Sequence, residues 1–582
     1  MIEHDAKLGP THALATRFCI GLAQGLVLFA IYHWRSRIEP VVFGGASLTA
    51  WLAPVVALGA LGALQRNALI AWMAAAVAIT ATLGAYAAFA DPAKLSDNGN
   101  FAVAVLTAAV LFILHHLIVP AAVEGRWRAS FERYFDEGWK DAVRLGLSAA
   151  FVAALWLLLE LGSALFHLIG LNFLKDLLEE RWFEFTATTI FFALAVHLTD
   201  MRASLVRGAR TLVLTLLSWL LALPTMIAVG FLAALPFKGL KALWAAGSAS
   251  GTMLAVCAAL IILMNATYQD GERGDHPPTV LKWFARIAAI ALVPLVGVAL
   301  YGVALRVSQH GLSPSRIYAG ACLLIAACYA AGYTWAAVSR GPWMKRLETT
   351  NWVTAQIIVA VVLLIFSPVA DPARLSVGSQ MHRLEAGRVP PEKFDYAFLG
   401  FKSGRWGRAA LVRLATRKDG AADIIAARAQ TELKAKNEWE NPPLTAQERV
   451  AMLHAVGQSL PDGFLSQAWS ADDDPAVNCR NEAQGCQAIT ITPTGSADLQ
   501  VVVFSSAERV VYGLRDGRWR RVGWLAGESC PGDIAAVARG DIHLQQTVAR
   551  SDLELNGHRL AIIPSDGCPA TVTGVRTSPK AP

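Results

Sequence analysis

The sequence predicts a polytopic bundle of transmembrane helices that is followed by a soluble α+β domain. Of the 582 residues, 55% are hydrophobic and only 16% are charged. Soluble domains carry roughly 25% charged residues, so a soluble particle of this size would lack the polar surface that it needs. Long apolar runs fill residues 1–370, whereas residues 371–582 have the composition of an ordinary soluble domain. We therefore predict a transmembrane domain over 1–370 and a soluble domain over 371–582.

Eleven apolar runs are long enough to cross a bilayer, for which a helix needs about 20 mostly apolar residues. The first run is longer than the apolar part of a cleaved signal peptide and is followed by further spans, so we expect it to be a signal anchor. Pro224 falls inside the seventh run, where a membrane helix tolerates it. The predicted spans are 15–33, 42–64, 68–90, 101–122, 146–169, 183–199, 211–235, 243–267, 284–306, 315–339 and 352–370.

The basic residues of the short loops predict the orientation of these spans. With the N-terminus in the cytoplasm, the cytoplasmic segments hold 17 Lys and Arg residues and the outside loops hold 9. Lys and Arg accumulate in cytoplasmic loops. An odd number of spans then places the chain after Ala370 outside. The prediction is a bacterial inner-membrane protein with a cytoplasmic N-terminus and a periplasmic C-terminal domain.

The cysteines divide between the two predicted domains. Four of the eight lie inside predicted spans, where a lone Cys acts as a small apolar residue. The other four are Cys479, Cys486, Cys530 and Cys568, and an even number in a soluble domain is typical of disulfides in an oxidising compartment. By sequence proximity we predict the pairs Cys479–Cys486 and Cys530–Cys568. Zinc sites need closer spacing, and we expect neither a metal nor a cofactor.

The soluble domain is predicted to be helical over 371–457 and β-rich over 478–575. Apolar residues recur three and four apart in the first part, and short β-type runs with the turn sequences "RDG" and "LNG" follow in the second. We expect a small antiparallel sheet. The Arg and aromatic residues of 515–524 either form a binding face or belong to an exposed edge hairpin.

Ionisable residues within predicted spans are the strongest candidates for a functional site, because charge near the bilayer centre is costly. Glu160, Ser163 and His167 are spaced to share one face of the fifth span. A carboxylate and several imidazoles suit a proton relay, since His titrates near neutral pH. The alternative is that they are hydrogen-bonded structural contacts between helices. The full set is Glu160, Ser163, His167, His115, His116, His197 and Asp200.

A second candidate site lies at the inner ends of the helices. The segment "EGRWRASFERYFDEGWK" resembles an amphipathic interfacial helix, and its paired carboxylates serve either acid–base chemistry or anchoring at the interface. The sequence "NATYQDG" favours a helix C-cap at Gly271, with a cation or headgroup contact as the alternative. These candidates are Asn265, Gln269, Asp270, Asp136 and Glu137.

Four segments resemble a family of bacterial membrane proteins, catalogued as domain of unknown function 4153. They are "YFDEGWKDAVRLGLSAAF", "LMNATYQDG", "RVSQHGLSPSRIYA" and "ARLSVGSQMHRLEAGRVPPEKFDYAFLGFKSGRWGRAAL". The sequence departs mildly at His310-Gly311-Leu312-Ser313, where such sequences usually have Tyr-Gly-Leu-Thr. The resemblance implies a multi-span envelope protein and supplies no activity, substrate or site residues.

The functional predictions rest on the motifs that the sequence contains and on those that it lacks. There is no phosphate-binding loop, nucleophile elbow or zinc-protease motif, and the basic pI is not accompanied by a nucleic-acid-binding signature. The first hypothesis is a non-enzymatic scaffold in the lipid bilayer that displays a periplasmic domain to an envelope protein. The second is a secondary transporter or lipid-handling protein that uses the intramembrane Glu and His residues. A membrane enzyme acting on lipid-linked substrates is the third.

Overall fold

The chain divides into two compact units, 1–426 and 427–582. The sequence predicts a boundary between the transmembrane and soluble domains at residue 370. That boundary stays a prediction. The computed structural model describes residues 10–92, 101–239, 249–271, 277–417, 422–435, 444, 446–469, 473–477, 479, 485–492, 499–505, 508–525, 536–537, 539, 553–555 and 558–560.

Eleven segments of the described chain are long and apolar enough to cross a membrane, as the sequence predicts. The first unit contains α1 (Pro10–His33), α2 (Pro40–Ala60), α3 (Arg66–Ala90), α4 (Phe101–Glu124), α5 (Phe131–Leu168), α6 (Phe173–Glu179), α7 (Arg181–Met201), α8 (Ala203–Leu220), α9 (Ala222–Lys238), α10 (Ala249–Tyr268), α11 (Thr279–His310), α12 (Pro314–Val338), α13 (Leu347–Ile365), α14 (Pro372–Glu385), α15 (Tyr396–Phe401) and α16 (Gly404–Ala415).

The spans pack as two groups. The first helical group consists of α1–α5 and α7, and the second of α8–α13. Leu58 of α2 and Val196 of α7 are buried in the first group, and Leu292 of α11 and Tyr333 of α12 are fully buried in the second. The groups meet where α4 packs against α13 and where α5 packs against α8.

Glycines allow the closest helix contacts of the first group. Gly21 and Gly25 lie four residues apart on α1 and face α7, and Thr189 of α7 donates a 2.7 Å hydrogen bond to the backbone oxygen of Gly21. Gly44 of α2 and Gly84 of α3 meet in the same way. Small residues at such crossings let backbones approach, which is a main source of helix association in lipid.

Two spans differ in detail from the sequence prediction. The segment predicted as a separate interfacial helix continues without a break into the fifth span, so α5 is one helix of 38 residues. The seventh span is divided at Leu221 into α8 and α9. Pro224 is the third residue of α9, and its ring and missing N–H oppose a regular helix through the preceding turn, which accounts for the division.

Three short helices, α14–α16, follow the last span within the first unit. They pack against α12 and α3. Asp371 is 3% exposed, caps the N-terminus of α14 and accepts a 2.7 Å hydrogen bond from the Tyr86 hydroxyl of α3. Ser379 and Gln380 hydrogen-bond the loop before α12. These helices therefore form a fixed part of the membrane unit.

The second unit is an α+β structure. Helix α17 (Ala422–Lys434) leads into it, and α18 (Ala446–Met452) precedes a sheet in the order β1–β2–β3–β4–β5, with a separate β6–β7 hairpin. The sheet is mixed rather than antiparallel, because β1 pairs parallel with β2. The turn at Asp516 and Gly517 has positive φ at both residues, as the "RDG" sequence predicts. The strands are β1 (Leu453–Val456), β2 (Cys486–Ile491), β3 (Gln500–Phe504), β4 (Arg509–Arg515), β5 (Arg518–Trp524), β6 (Leu553–Leu555) and β7 (His558–Leu560).

An aromatic core covers one face of this sheet. Phe464 is fully buried against Trp469, Tyr512 and Trp519, and burial raises the pKa of the Tyr512 phenol above its ordinary value. The predicted disulfide between Cys479 and Cys486 is present and joins the start of β2 to the preceding loop. The predicted Cys530–Cys568 pair lies outside the described residues.

Candidate functional site

A network of polar and charged side chains, here called the charge network, lies inside the first helical group. Successive spans run in opposite directions, so the start of α1, the end of α4, the start of α5 and the end of α7 lie on one side of the membrane, here called the α1 side. The network occupies this side. Its members are Arg17, Trp72, His115, His116, Asp141, Arg144, His197 and Asp200.

Ion pairs hold three helices of the network together. Asp200 of α7 accepts hydrogen bonds from Arg17 of α1 and, at 2.8 Å, from Nη1 of Arg144 of α5. Nη2 of Arg144 lies 3.0 Å from Asp141 one turn earlier. Arg17, Asp141 and Arg144 are each less than a tenth exposed. Charges buried in this way require compensation by partners, and the pairing supplies it.

Two neighbouring histidines of α4 have different hydrogen-bond partners. Trp72 donates through Nε1 to Nδ1 of His115 at 3.2 Å. Because indole only donates, that nitrogen carries no proton and His115 is neutral. In His116, Nδ1 faces the Phe112 carbonyl at 2.7 Å and Nε2 faces Asp141 at 3.2 Å. His116 therefore connects its own helix to Asp141, the carboxylate that also pairs with Arg144.

A cavity of about 670 Å³, here called the first cavity, lies between the two helical groups. Its walls come from α4 and α5 on one side and from α10 and α13 on the other. The lining is largely aromatic and aliphatic, and His116, Tyr134, Asn265 and Asn351 are its polar members. The lining residues are Phe112, Ile113, His116, Leu117, Phe131, Tyr134, Phe135, Gly138, Trp139, Ala142, Ile262, Asn265, Asn351, Trp352 and Ala355.

A closed set of hydrogen bonds fixes the wall that the second helical group contributes. Asn265 of α10 donates to the Tyr333 hydroxyl at 2.7 Å, Tyr333 donates to Asn351 of α13 at 2.6 Å, and Asn351 donates back to Asn265 at 2.6 Å. Trp352 beside them receives the Arg128 guanidinium 4.7 Å from its ring centre. Cations over aromatic faces are attracted by the ring quadrupole, so a basic group lies next to the cavity lining.

A second cavity of about 380 Å³ lies between α2, α4 and α5. Arg144, Asp141 and both histidines of α4 line it, together with Gly59 and aliphatic residues. His116 lines both cavities. The charge network therefore faces the second cavity and reaches the first cavity through one imidazole.

The structure brings together only part of the predicted intramembrane set. His115, His197 and Asp200 belong to the charge network. Glu160 lies 19 residues beyond Asp141 on α5, roughly 28 Å along the helix at 1.5 Å per residue, and it is exposed on the outer surface of the bundle. Ser163 is buried, whereas His167 is exposed and hydrogen-bonds Asn172 at 2.8 Å.

The predicted inner-face residues fall into two places. Asp136 pairs with Arg210, and Glu137 pairs with Lys140 at 2.8 Å, so the neighbouring carboxylates point to different partners. Asn265 lines the first cavity. Gln269 and Asp270 lie at the end of α10, where Gln269 and Gly271 have positive φ, the geometry expected of a helix C-cap.

Several residues of the site were missed by sequence reasoning. Arg17 and Arg144 counted only as basic residues of cytoplasmic segments, and Asp141 was not considered. The opposite charges of Asp141 and Arg144, spaced i, i+3 at the edge of an apolar run, are the pattern that indicates a pair on one helix face. No sequence pattern indicates the contact between Asn265 and Asn351, because the two residues are 86 positions apart.

Comparison with known proteins gives a family. A family model described as domain of unknown function (DUF4153) matches residues 52–414, which contain every lining residue of both cavities and all of the charge network except Arg17. No curated protein and no solved structure matches the chain. The match covers more than half of the chain and contains nine of the eleven candidate spans of the described residues in full, with the last part of a tenth. This integral membrane protein therefore belongs to the DUF4153 family.

Proposed function

We propose that this protein is a lipid-handling protein of the bacterial inner membrane that holds the apolar chain of a lipid in the first cavity. The first cavity itself carries the proposal. Small-molecule sites are concave, largely apolar and about 300–1,000 Å³ in volume, with a few placed polar groups. The first cavity has about 670 Å³, aromatic walls and the polar side chains of His116, Asn265 and Asn351.

The position of the first cavity also favours a membrane lipid over a soluble metabolite. The lining residues of α5 and α13 lie within the first twelve residues of those helices, and those of α10 within the last two turns, whereas Phe112 and Ile113 lie near the middle of α4. The first cavity therefore extends from the α1 side toward the middle of the spans, as a lipid chain would. Trp127 beside Trp352 is exposed, and Trp residues are enriched at membrane interfaces.

Lipid handling explains more of the molecule than the scaffold that the sequence first suggests. A scaffold needs no cavity between its helix groups and no histidine shared by two cavities. The proposal retains the predicted orientation, with the α1 side cytoplasmic and the C-terminal unit periplasmic. Two features support it: the excess of Lys and Arg in the predicted cytoplasmic segments, and the Cys479–Cys486 disulfide, since disulfides persist in oxidising compartments.

Filling the first cavity tests the proposal. A Cβ added to Gly138 of α5 would meet only His116 Cδ2, at 3.8 Å, so Gly138→Leu places its side chain in the cavity without a backbone clash. We expect wild-type protein to crosslink photoactivatable phospholipid on α4, α5, α10 and α13. Gly138→Leu should lose most of this crosslinking, read by mass spectrometry of the labelled peptides.

Gly146→Leu is the matched control. Gly146 lies on the same helix, is exposed, and has no neighbour within 4 Å of an added Cβ. It does not line the first cavity, so crosslinking to the four helices should stay at the wild-type level. Equal crosslinking in Gly138→Leu and wild type, with both proteins folded, would rule out a lipid chain in this cavity.

A further inference from the structure

The loop that connects α4 to α5 lies beside the first cavity on the α1 side. Tyr134, which lines the first cavity, accepts a 2.8 Å hydrogen bond from the backbone N–H of Ala129. Glu124, at the end of α4, accepts hydrogen bonds from the backbone N–H and the hydroxyl of Ser130. Both contacts join the loop to the helices next to it, so they fix the position of the residues in between.

Two side chains of this loop contact Trp352, which lines the first cavity. The Trp127 ring packs edge-on against it with the ring centres 5.2 Å apart, and the Arg128 guanidinium lies 4.7 Å from its ring centre. Trp127 is 81% exposed, and Arg128 is partly buried. Because the loop connects two spans, both side chains lie at the ends of the spans, in the polar headgroup region of a bilayer.

The positive charge of Arg128 has no counter-ion within the described part of the chain, where its contact is the Trp352 ring. Three carboxylates at the starts of α5 and α13 have cationic partners of their own, in the pairs Asp136–Arg210, Glu137–Lys140 and Glu348–Lys345. The aromatic ring attracts the guanidinium but does not neutralise it. The N–H groups of Arg128 are therefore available to an oxygen anion.

We infer that Arg128 binds the phosphate of the phospholipid whose chain occupies the first cavity. The inference rests on the proposed function, because the same lipid must supply both the chain and the phosphate. The first cavity extends from the α1 side toward the middle of the spans, so the headgroup of a lipid within it lies at the level of the loop. Guanidinium binds phosphate through two parallel hydrogen bonds. A free phosphate ion shares this chemistry but has no chain for the first cavity.

Competition between lipids with and without phosphate tests the inference. The full-length protein in detergent is labelled with a photoactivatable phospholipid, and phosphatidylglycerol or diacylglycerol with identical chains is added as competitor. Labelling of α4, α5, α10 and α13 is read by mass spectrometry. We expect phosphatidylglycerol to compete at about one tenth of the mole fraction that diacylglycerol needs, or less, the effect of one hydrogen bond to a charged group.

Substitution of the arginine should remove this difference. In Arg128→Gln, phosphatidylglycerol should need the same mole fraction as diacylglycerol, while diacylglycerol competes as it does in wild type. Arg128→Lys keeps the charge but lacks the planar fork that matches phosphate, so it should retain part of the difference. An unchanged difference in Arg128→Gln would overturn the inference.

Arg133→Gln is the matched control. Arg133 is exposed and lies two residues from Phe131 and from Phe135, which line the first cavity, so it is on the opposite face of α5. The variant removes the same charge on the same side of the membrane, and its preference for phosphatidylglycerol should equal that of wild type. Equal losses in Arg133→Gln and Arg128→Gln would indicate a general effect of charge and would also overturn the inference.

The remaining outcomes separate the inference from the proposed function. If diacylglycerol competes as well as phosphatidylglycerol in wild type, the inference is overturned while the proposed function stands. If the photoactivatable phospholipid does not label the four helices, the proposed function itself fails. Inorganic phosphate is tested alone: if it raises the melting temperature of wild type but not of Arg128→Gln, and the two lipids compete equally, Arg128 binds a free anion and the inference of a lipid phosphate is overturned.

Discussion

Buried ion pairs occur in both units of this protein. In the second unit, Arg449 and Asp474 are 3% and 1% exposed and lie 2.9 Å apart. Arg449 also donates to the backbone oxygens of Leu465 and Gln467, at 2.8 and 2.9 Å. Asp474 accepts from the backbone N–H of Leu444. This pair therefore joins α18 to the loops beneath the aromatic core.

Removing the arginine should destabilise the second unit strongly. Arg449→Met keeps much of the side-chain volume but leaves Asp474 buried without its cation, a change that costs about 3–5 kcal/mol. Hydrogen exchange of the β2–β4 amides in the full-length protein should accelerate on the order of 100- to 4,000-fold, since 1.4 kcal/mol corresponds to a factor of ten.

Arg428→Met is the comparison at a more exposed pair. Arg428 and Glu448 are bonded, but both side chains are more than a quarter exposed, and pairs in contact with solvent contribute about 0–1 kcal/mol. Exchange in β2–β4 should change less than about tenfold. Similar rates in the two variants would contradict the structural role of the Arg449–Asp474 pair.

The cost of burying a polar group without a partner explains which site residues could be recognised from the sequence. His115, His197 and Asp200 were recognisable because a polar residue within an apolar run needs a partner. Their partners were not recognisable, since Arg17 and Asp200 are 183 residues apart and Arg residues near span ends usually face water. Glu160 is also a polar residue within an apolar run, and yet it is exposed. Hydropathy does not show which face of a helix contacts a neighbouring helix.

Helix packing in the membrane unit depends on single glycines. A Cβ at Gly25 of α1 would lie 2.6 Å from Cα of Thr186 and 2.7 Å from Oγ1 of Thr189 on α7, so Gly25→Leu must push the two helices apart. We expect destabilisation of about 1–3 kcal/mol or more from overpacking, and a weakened Arg17–Asp200 pair. Thermal unfolding of the purified protein in detergent measures this loss.

Gly297→Leu on α11 controls for the substitution itself. Gly297 is exposed and has no neighbour within 4 Å of an added Cβ, so unfolding should occur at or slightly above the wild-type temperature, since Gly is a poor helix former. If Gly25→Leu unfolds at the same temperature as Gly297→Leu, the close α1–α7 contact is not needed for stability.

The helices and turns were more predictable from the sequence than the contacts between helices and between strands. All eleven spans followed from apolar length because a helix in lipid must satisfy its own backbone, and the β4–β5 turn followed from Asp516-Gly517. The α1–α7 crossing had a usable pattern, Gly21 and Gly25 at four-residue spacing, that was not used. No sequence pattern indicated the parallel pairing of β1 with β2, because a four-residue strand does not reveal the direction of the strand beside it.

For the whole molecule, the orientation across the membrane is the property on which most of the proposal depends. A reporter enzyme that is active only in the periplasm should be active when fused after Ala370 and silent when fused after Arg210. The expectation follows from the Lys and Arg bias of the loops and from the odd number of spans.

The reverse pattern of reporter activity would place the charge network on the periplasmic side. The proposed lipid would then come from the outer leaflet of the inner membrane, and the Cys479–Cys486 disulfide would lie in a reducing compartment. The predicted orientation would then be wrong, and the disulfide would no longer support it. This experiment therefore decides the orientation across the membrane.

The 183 residues between Arg17 and Asp200 also have a consequence for biogenesis. Ribosomes add roughly 5–20 residues per second, so the first span leaves the ribosome on the order of 10–40 s before the carboxylate that neutralises its arginine has been synthesised. During that interval Arg17 has to be accommodated near the lipid headgroups or within the insertion machinery. The first helix therefore cannot settle in its final place until α7 arrives, and assembly of the first helical group waits for the middle of the chain.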